Sequence, residues 1–126
     1  MAAISLDENG LPEGYPFDPE WEMSPRQVKA MLDAGEDFVL LDCRTPPEFD
    51  HCRIEGAIFL PLQEVGRRLA ELEPACEKKI VIHCHHGMRS LQMASFLRQR
   101  GFSDVTSMAG GIDLWSMDID PGVARY

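Results

Sequence analysis

"KKIVIHCHHGMRSLQMASFLRQRG", Lys78 to Gly101, decides how this chain folds. Its first seven residues, "KKIVIHC", read as a buried strand. Its second half, from Met88, repeats apolar residues at Leu91, Ala94 and Leu97 with helical spacing and stops at Gly101. Only a few residues separate the two. A buried strand passing at once into a helix is half of a parallel crossover unit, so the stretch predicts an α/β sheet domain.

The flanking sequence extends the same alternation. Upstream, "DFVLLDC" (37–43) reads as a second buried strand. It follows a helix predicted over "SPRQVKAMLDAG", which Ser24 caps, Pro25 suits in the first turn, Gln27 completes as a capping box and Gly35 ends. In "RTPPEFDHCRIEGAIFLP" the paired prolines forbid a long helix, and Ala57 to Leu60 reads as a short strand. "LQEVGRRLAEL" carries Leu62, Val65, Leu69 and Leu72 at helical spacing, which predicts an amphipathic helix weakened by Gly66. Downstream come a strand "DVTSM", a turn "AGG" and a short helix "IDLWS". The expected organisation is an irregular lead over 1–23, pinned by Tyr15, Phe17 and Trp21, a domain over 24–118 and a tail over 119–126.

A chain of 126 residues suits one core, and its formal net charge is -9. Such a field repels nucleic acid and anionic membranes, so neither is an expected partner. An anion site would have to be built locally, from backbone N–H groups and an arginine. "MAAISLDENGLPEGY" offers no basic flank or apolar stretch for export, and no apolar run is long enough to span a bilayer. The expected location is cytoplasmic, with Cys43, Cys52, Cys76 and Cys84 reduced. For the first three the plain reading is a small buried hydrophobe.

Cys84 differs by its place. Ligands of parallel α/β folds bind beyond the carboxyl ends of the strands, and Cys84 ends one, just before a helix. The first N–H groups of that helix lack intrahelical partners and favour negative charge. Gly87 lets the backbone curl, Arg89 supplies a cation and Ser90 a hydroxyl. A cysteine there should have its thiolate, the attacking form, stabilised. Three chemistries compete. Metal binding by His83, Cys84, His85 and His86 is opposed by their adjacency, because zinc ligands converge from separated positions. His83 reads instead as a hydrogen-bonded core or sheet-face residue. A phosphatase loop, Cys-x5-Arg, fits in residue type but not in count, since "HHGM" gives four intervening residues. The shorter ring of N–H groups suits one extra sulfur atom on Cys84, a persulfide.

From about Ser24 to Asp118 the chain resembles a single-domain rhodanese, a sulfurtransferase of the rhodanese homology superfamily. The resemblance is carried by Asp42, Arg44, Glu48 and Phe49 in "LLDCRTPPEF", and by Ile54, Gly56 and Ala57 in "RIEGAIFLPL". It continues through "CHHGMRS" and through Gly110, Gly111 and Trp115 in "MAGGIDLW". It implies a three-layer fold with a mostly parallel sheet between helices. It also implies that Cys84 carries a sulfane sulfur as a persulfide, taken from a donor such as thiosulfate and passed to cyanide, a small thiol or a protein thiol. His85, His86, Gly87, Met88, Arg89 and Ser90 would bind substrate, with Arg89 holding the anionic donor. Asp42 and Arg44 would brace the loop as an ion pair. Cys52-Arg53 departs from the family's usual Gly-His, and Arg53 either adds charge near the mouth or is a solvated arginine. No metal or organic cofactor is implied. An inactive binding or regulatory module is the alternative from another class, and a cysteine-based phosphatase or arsenate reductase a third.

Overall fold

Parallel pairing of β2 (Phe38–Asp42) with β4 (Lys79–His83) forms the spine of the molecule, in register from Phe38↔Lys79 to Asp42↔His83. The computed structural model describes residues 5–126. Strand β5 (Asp104–Met108) lies on the far side of β4, with Ile82 opposite Ser107. β3 (Ile58–Phe59) extends the β2 edge and β1 (Glu22–Met23) the β5 edge, giving the order β1-β5-β4-β2-β3 with every pair parallel. Asp42, His83 and Met108 thus end three neighbouring strands along one rim.

Strand side chains alternate between faces, and this alternation makes the three layers. Leu41, Ile80, Ile82 and Val105 pack beneath Met93, Ala94 and Leu97 of α3 (Met88–Gln99). Leu40, Val81 and Met108 face the other way. They meet Val28 of α1 (Pro25–Asp33) and Ile112 and Trp115 of α4 (Gly111–Asp118). The α1 capping box is formed: Ser24 Oγ accepts from the Gln27 N–H at 3.2 Å, and Gln27 Oε1 accepts from the Ser24 N–H at 2.8 Å. The paired prolines open a helix of only six residues, α2 (Pro46–His51). No described helix is long and apolar enough to cross a membrane.

Three expectations are corrected. Residues 62–72 form no α-helix; short 3-10 turns occupy Leu62–Glu64, Leu69–Glu71 and Glu73–Ala75. Gly66 costs a helix interior about 1 kcal/mol, and a helix so short between Pro61 and Pro74 is marginal. Separate turns still bury Val65 and Leu72, and Glu64 and Glu71 pair with Arg68 along the outside. The strand expected at Ala57–Leu60 shortens to Ile58–Phe59. The lead is not wholly irregular, because Glu22 and Met23 pair with β5. Its aromatic pins hold as expected: Tyr15 and Phe17 pack on Leu11 and Leu114, and Trp21 lies under the Arg98 guanidinium at 3.7 Å. Residues 1–4 of the lead lie outside the described residues.

Candidate active site

Cys84 sits where β4 gives way to α3, and the residue is 1% exposed. It accepts hydrogen bonds from the Gly87 N–H at 3.1 Å and the Ser90 N–H at 3.4 Å, with the Ser90 hydroxyl also at 3.4 Å. Gly87, at φ +109, makes the curl that turns these donors inward. Ser90 is itself fixed, its Oγ 3.1 Å from the Gly87 carbonyl and 2.6 Å from Ser107 Oγ near the end of β5.

Cys43, at the end of β2, is the nearest unexpected group. The Cys43 thiol is the largest influence holding the Cys84 thiol far below its ordinary pKa; burial opposes, and the Ser90 hydroxyl and the two N–H groups assist. Conversely, Cys84 and burial push the Cys43 thiol up. These opposite shifts make Cys84 the more acidic thiol of the two. Iodoacetamide alkylation of Cys84 should therefore hold its plateau from pH 8 down to pH 6. An ordinary cysteine, with a pKa of about 8.5, loses roughly tenfold per unit there. A steep fall over that range, followed by peptide mapping, would show Cys84 to be an unactivated thiol.

The loop is clamped from α4. The Ile112 N–H donates to the Cys84 carbonyl at 2.8 Å and the Asp113 N–H to the His85 carbonyl at 3.1 Å. Gly111 makes this approach possible, since a Cβ there would lie 2.4 Å from the His85 carbonyl oxygen and 2.5 Å from that of Cys84. The "AGG" turn is thus what holds the loop's backbone in place.

Arg89 projects from the first turn of α3, but it is not unopposed. Its guanidinium grips Glu48 of α2 through two bonds of 2.6 and 2.9 Å. Arg89, against a smaller burial cost, holds the Glu48 carboxyl well below the usual carboxylate range, and the Tyr126 hydroxyl, 2.6 Å away, adds to this. The folded-state pKa is the lower one, so the stability this pair contributes is fully present above about pH 4.3 and declines as pH falls from there toward the folded-state value. Asp42 and Arg44 form the expected ion pair, fully buried, with Arg44 Nη2 2.7 Å from Asp42 Oδ2. Arg44 also donates to the Cys52 carbonyl at 2.6 Å, the Glu48 carbonyl at 3.2 Å and the Tyr126 hydroxyl at 3.1 Å, so it ties α2 to the strand ends.

The histidines diverge. His83 is buried on the opposite side of β4 from Cys84. Its ring nitrogens have no hydrogen-bond partner among the described residues, which corrects the expectation of a hydrogen-bonded histidine. Burial lowers its pKa, disfavouring the charged imidazolium. His85 donates through Nε2 to the Tyr126 carbonyl at 2.9 Å and stacks on the Tyr126 ring at 3.9 Å. The His86 side chain is exposed and lies against His85, its Nδ1 3.8 Å from Asp113 Oδ2. Among the described residues no three histidine, cysteine or carboxylate side chains gather as a metal site would require. Met88 is 74% exposed at the rim. Arg53 is exposed and covers the Phe49 ring at 4.5 Å. Sequence reasoning missed Cys43, Glu48 and Tyr126 as members of this neighbourhood. Strand register could have flagged the first; nothing in the tail flags the last.

With this geometry in hand, comparison with known proteins is informative. The rhodanese-like domain family matches residues 24–118. The chain is 33% identical over 106 residues to a probable adenylyltransferase/sulfurtransferase, MoeZ, of Mycobacterium tuberculosis, covering 82% of this chain but 26% of that protein. The match thus spans about a quarter of that relative's length. It is 34% identical over 94 residues to the thiosulfate sulfurtransferase GlpE of Glaesserella parasuis, covering 75% of this chain and 84% of the relative. The crystal structure of a rhodanese-related protein from Thermoplasma volcanium superposes with a TM-score of 0.71 at 27% identity, over 84% of this chain and 99% of the other. By sequence and by structure alike, this chain belongs to the rhodanese-like domain family.

Proposed function

We propose that the protein is a sulfurtransferase that takes a sulfane sulfur from an anionic donor such as thiosulfate and passes it to a thiol, through a persulfide on Cys84. The observation that carries this is the Cys84 sulfur itself, a stabilised thiolate receiving two backbone N–H groups at the N-terminus of α3. The GlpE relative supports the choice of donor. The Cys84 thiolate attacks the outer sulfur of thiosulfate, a sulfur–sulfur bond forms, and sulfite leaves with the electron pair of the bond that breaks. The outer sulfur then occupies the ring of donors around Gly87 and Ser90. An acceptor thiolate attacks that outer sulfur and returns Cys84 to its thiolate. Arg89 meets the donor's sulfonate end, exchanging part of its contact with Glu48.

Intact mass spectrometry tests the reading. Thiosulfate without acceptor should add about 32 Da at Cys84, one sulfur atom. An unchanged mass would remove the enzymatic reading and favour a binding module. Arg89→Ala should weaken turnover of thiosulfate by about 1.5–3 kcal/mol, the worth of a charge-assisted contact. It should affect an uncharged persulfide donor much less. Equal losses on both donors would assign Arg89 to holding Glu48 alone.

A further inference from the structure

Two cysteines meet at the rim because of strand register. Asp42 lies opposite His83, and the Cys43 N–H continues the ladder by donating to the His83 carbonyl at 3.1 Å. The next residues on the two strands are Cys43 and Cys84, both 1% exposed and both in the core beneath α3. Register neighbours on adjacent strands have Cα atoms about 4.8 Å apart. A disulfide spans Cα separations of about 4.4–6.8 Å. Neither Cys52, which packs against the cluster on the opposite face of the sheet, nor Cys76, beyond the amino end of β4, shares this position.

We propose that Cys43 is a resolving thiol: it attacks the inner sulfur of the Cys84 persulfide, closes a Cys43–Cys84 disulfide and releases hydrosulfide. The protein then has a second activity, the reduction of a donor's sulfane sulfur to hydrosulfide at the expense of an external dithiol. This rests on the reading that Cys84 carries a persulfide. The balance is complete. In the loaded state, Cys84–S–S⁻ and Cys43–SH become Cys84–S–S–Cys43 and HS⁻. The bond between Cys84 Sγ and the outer sulfur breaks, its electron pair leaves with the outer sulfur, and the Cys43 proton goes to that sulfur. Two electrons from the two cysteines reduce it. A dithiol then reduces the disulfide by exchange and is itself oxidised to a cyclic disulfide, which restores the Cys84 thiolate and the Cys43 thiol and releases one proton. The two routes differ in the atom attacked. An external acceptor takes the outer sulfur, whereas Cys43 strikes the inner one from the neighbouring strand while the N–H groups of Gly87 and Ser90 stabilise the departing sulfur.

The experiment follows one turnover without acceptor or reductant. Reduced protein is mixed with one equivalent of thiosulfate, and intact mass and free hydrosulfide are measured over time. The wild type should first gain about 32 Da, one sulfur. It should then become a species about 2 Da lighter than the starting chain, the mark of a disulfide, with roughly one hydrosulfide released per chain. Cys43→Ser keeps a hydroxyl donor but cannot close the bond; it should remain at the added sulfur mass with at least tenfold less hydrosulfide. A wild-type persulfide as long-lived as that of Cys43→Ser overturns the proposal. Peptide mapping of the wild type supplies a reading that does not depend on the variant's folding. A Cys43–Cys84 linked peptide supports the proposal, while linkage of Cys84 to another chain or to no cysteine overturns it. Loading with inorganic polysulfide separates the two claims. If thiosulfate adds nothing but polysulfide-loaded protein converts to the disulfide, the donor reading fails and the role of Cys43 stands. If polysulfide leaves a stable persulfide, Cys43 has no such role.

Discussion

Cys84→Ser abolishes sulfur transfer and leaves the fold in place. The serine hydroxyl fills nearly the same space and accepts from the same Gly87 and Ser90 N–H groups, so the loop keeps its shape. What is lost is the nucleophile. A hydroxyl stays protonated at neutral pH, and no base replaces the activation that a depressed thiol pKa gives: His83 faces the other side of the sheet, and His85 is engaged with Tyr126. The expected fall in kcat/KM is at least about a thousandfold, equivalent to roughly 4 kcal/mol. Sulfite release measures it, with a thermal melt as the check on folding. Cys52→Ser and Cys76→Ser should retain turnover. A Cys84→Ser protein active within tenfold of the wild type would end the persulfide mechanism, and a dead Cys52→Ser protein would end the assignment of the transferring thiol.

The second large effect is on stability, and it comes from Arg44. Its guanidinium is fully buried against Asp42 while also holding the carbonyl of Glu48 in α2 and that of Cys52 just beyond it. Removing one member of a buried pair strands the other charge, which costs about 3–5 kcal/mol. Arg44→Ala should therefore lower the unfolding free energy by about that much in urea titration. The double variant Asp42→Leu, Arg44→Met, which leaves no charge unpaired, should recover a good part of the loss. A single variant that loses less than about 1 kcal/mol would mean that the ion pair is solvated in solution. Because Arg44 positions the carbonyls of Glu48 and Cys52, the single variant should also loosen the clamp on Arg89 and weaken use of thiosulfate.

The parts of this molecule that could be read from the sequence are those whose cause is local. An apolar run bounded by breakers suffices for β2 and β4, and the repeat of Leu91, Ala94 and Leu97 suffices for α3. The capping box at Ser24 is complete within four residues. Leu62, Val65, Leu69 and Leu72 misled because helical spacing is also satisfied by successive 3-10 turns, and the choice was made by Gly66 and the flanking prolines. β1 was missed because two residues have no periodicity; Glu22 and Met23 are strand only because β5 is beside them. The site divides the same way. The position of Cys84 at a strand end, with helix N–H groups ahead of it, was legible. The occupation of Arg89 by Glu48 was not, since the partners are 41 positions apart and the orientation of α2 joins them. Cys43 read as a buried hydrophobe, and it is buried, but its contact with Cys84 depends on the register between two strands. Tyr126 reaches the loop from a tail without any pattern to announce it.

The clamp of α4 on the loop carries a consequence for biosynthesis. Chain growth delivers Cys84, Arg89 and all of α3 well before Ile112 and Asp113, whose N–H groups fix the Cys84 and His85 carbonyls. The sheet is equally dependent on what comes later, because β1 pairs with β5. Closing that gap carries an entropy that grows only slowly with its length, yet none of the pairing is gained until β5 exists. A nascent chain halted on the ribosome before α4 holds every reactive side chain of the loop but not the backbone restraint that aims it. Maturation of the thiol is thereby timed to the synthesis of α4.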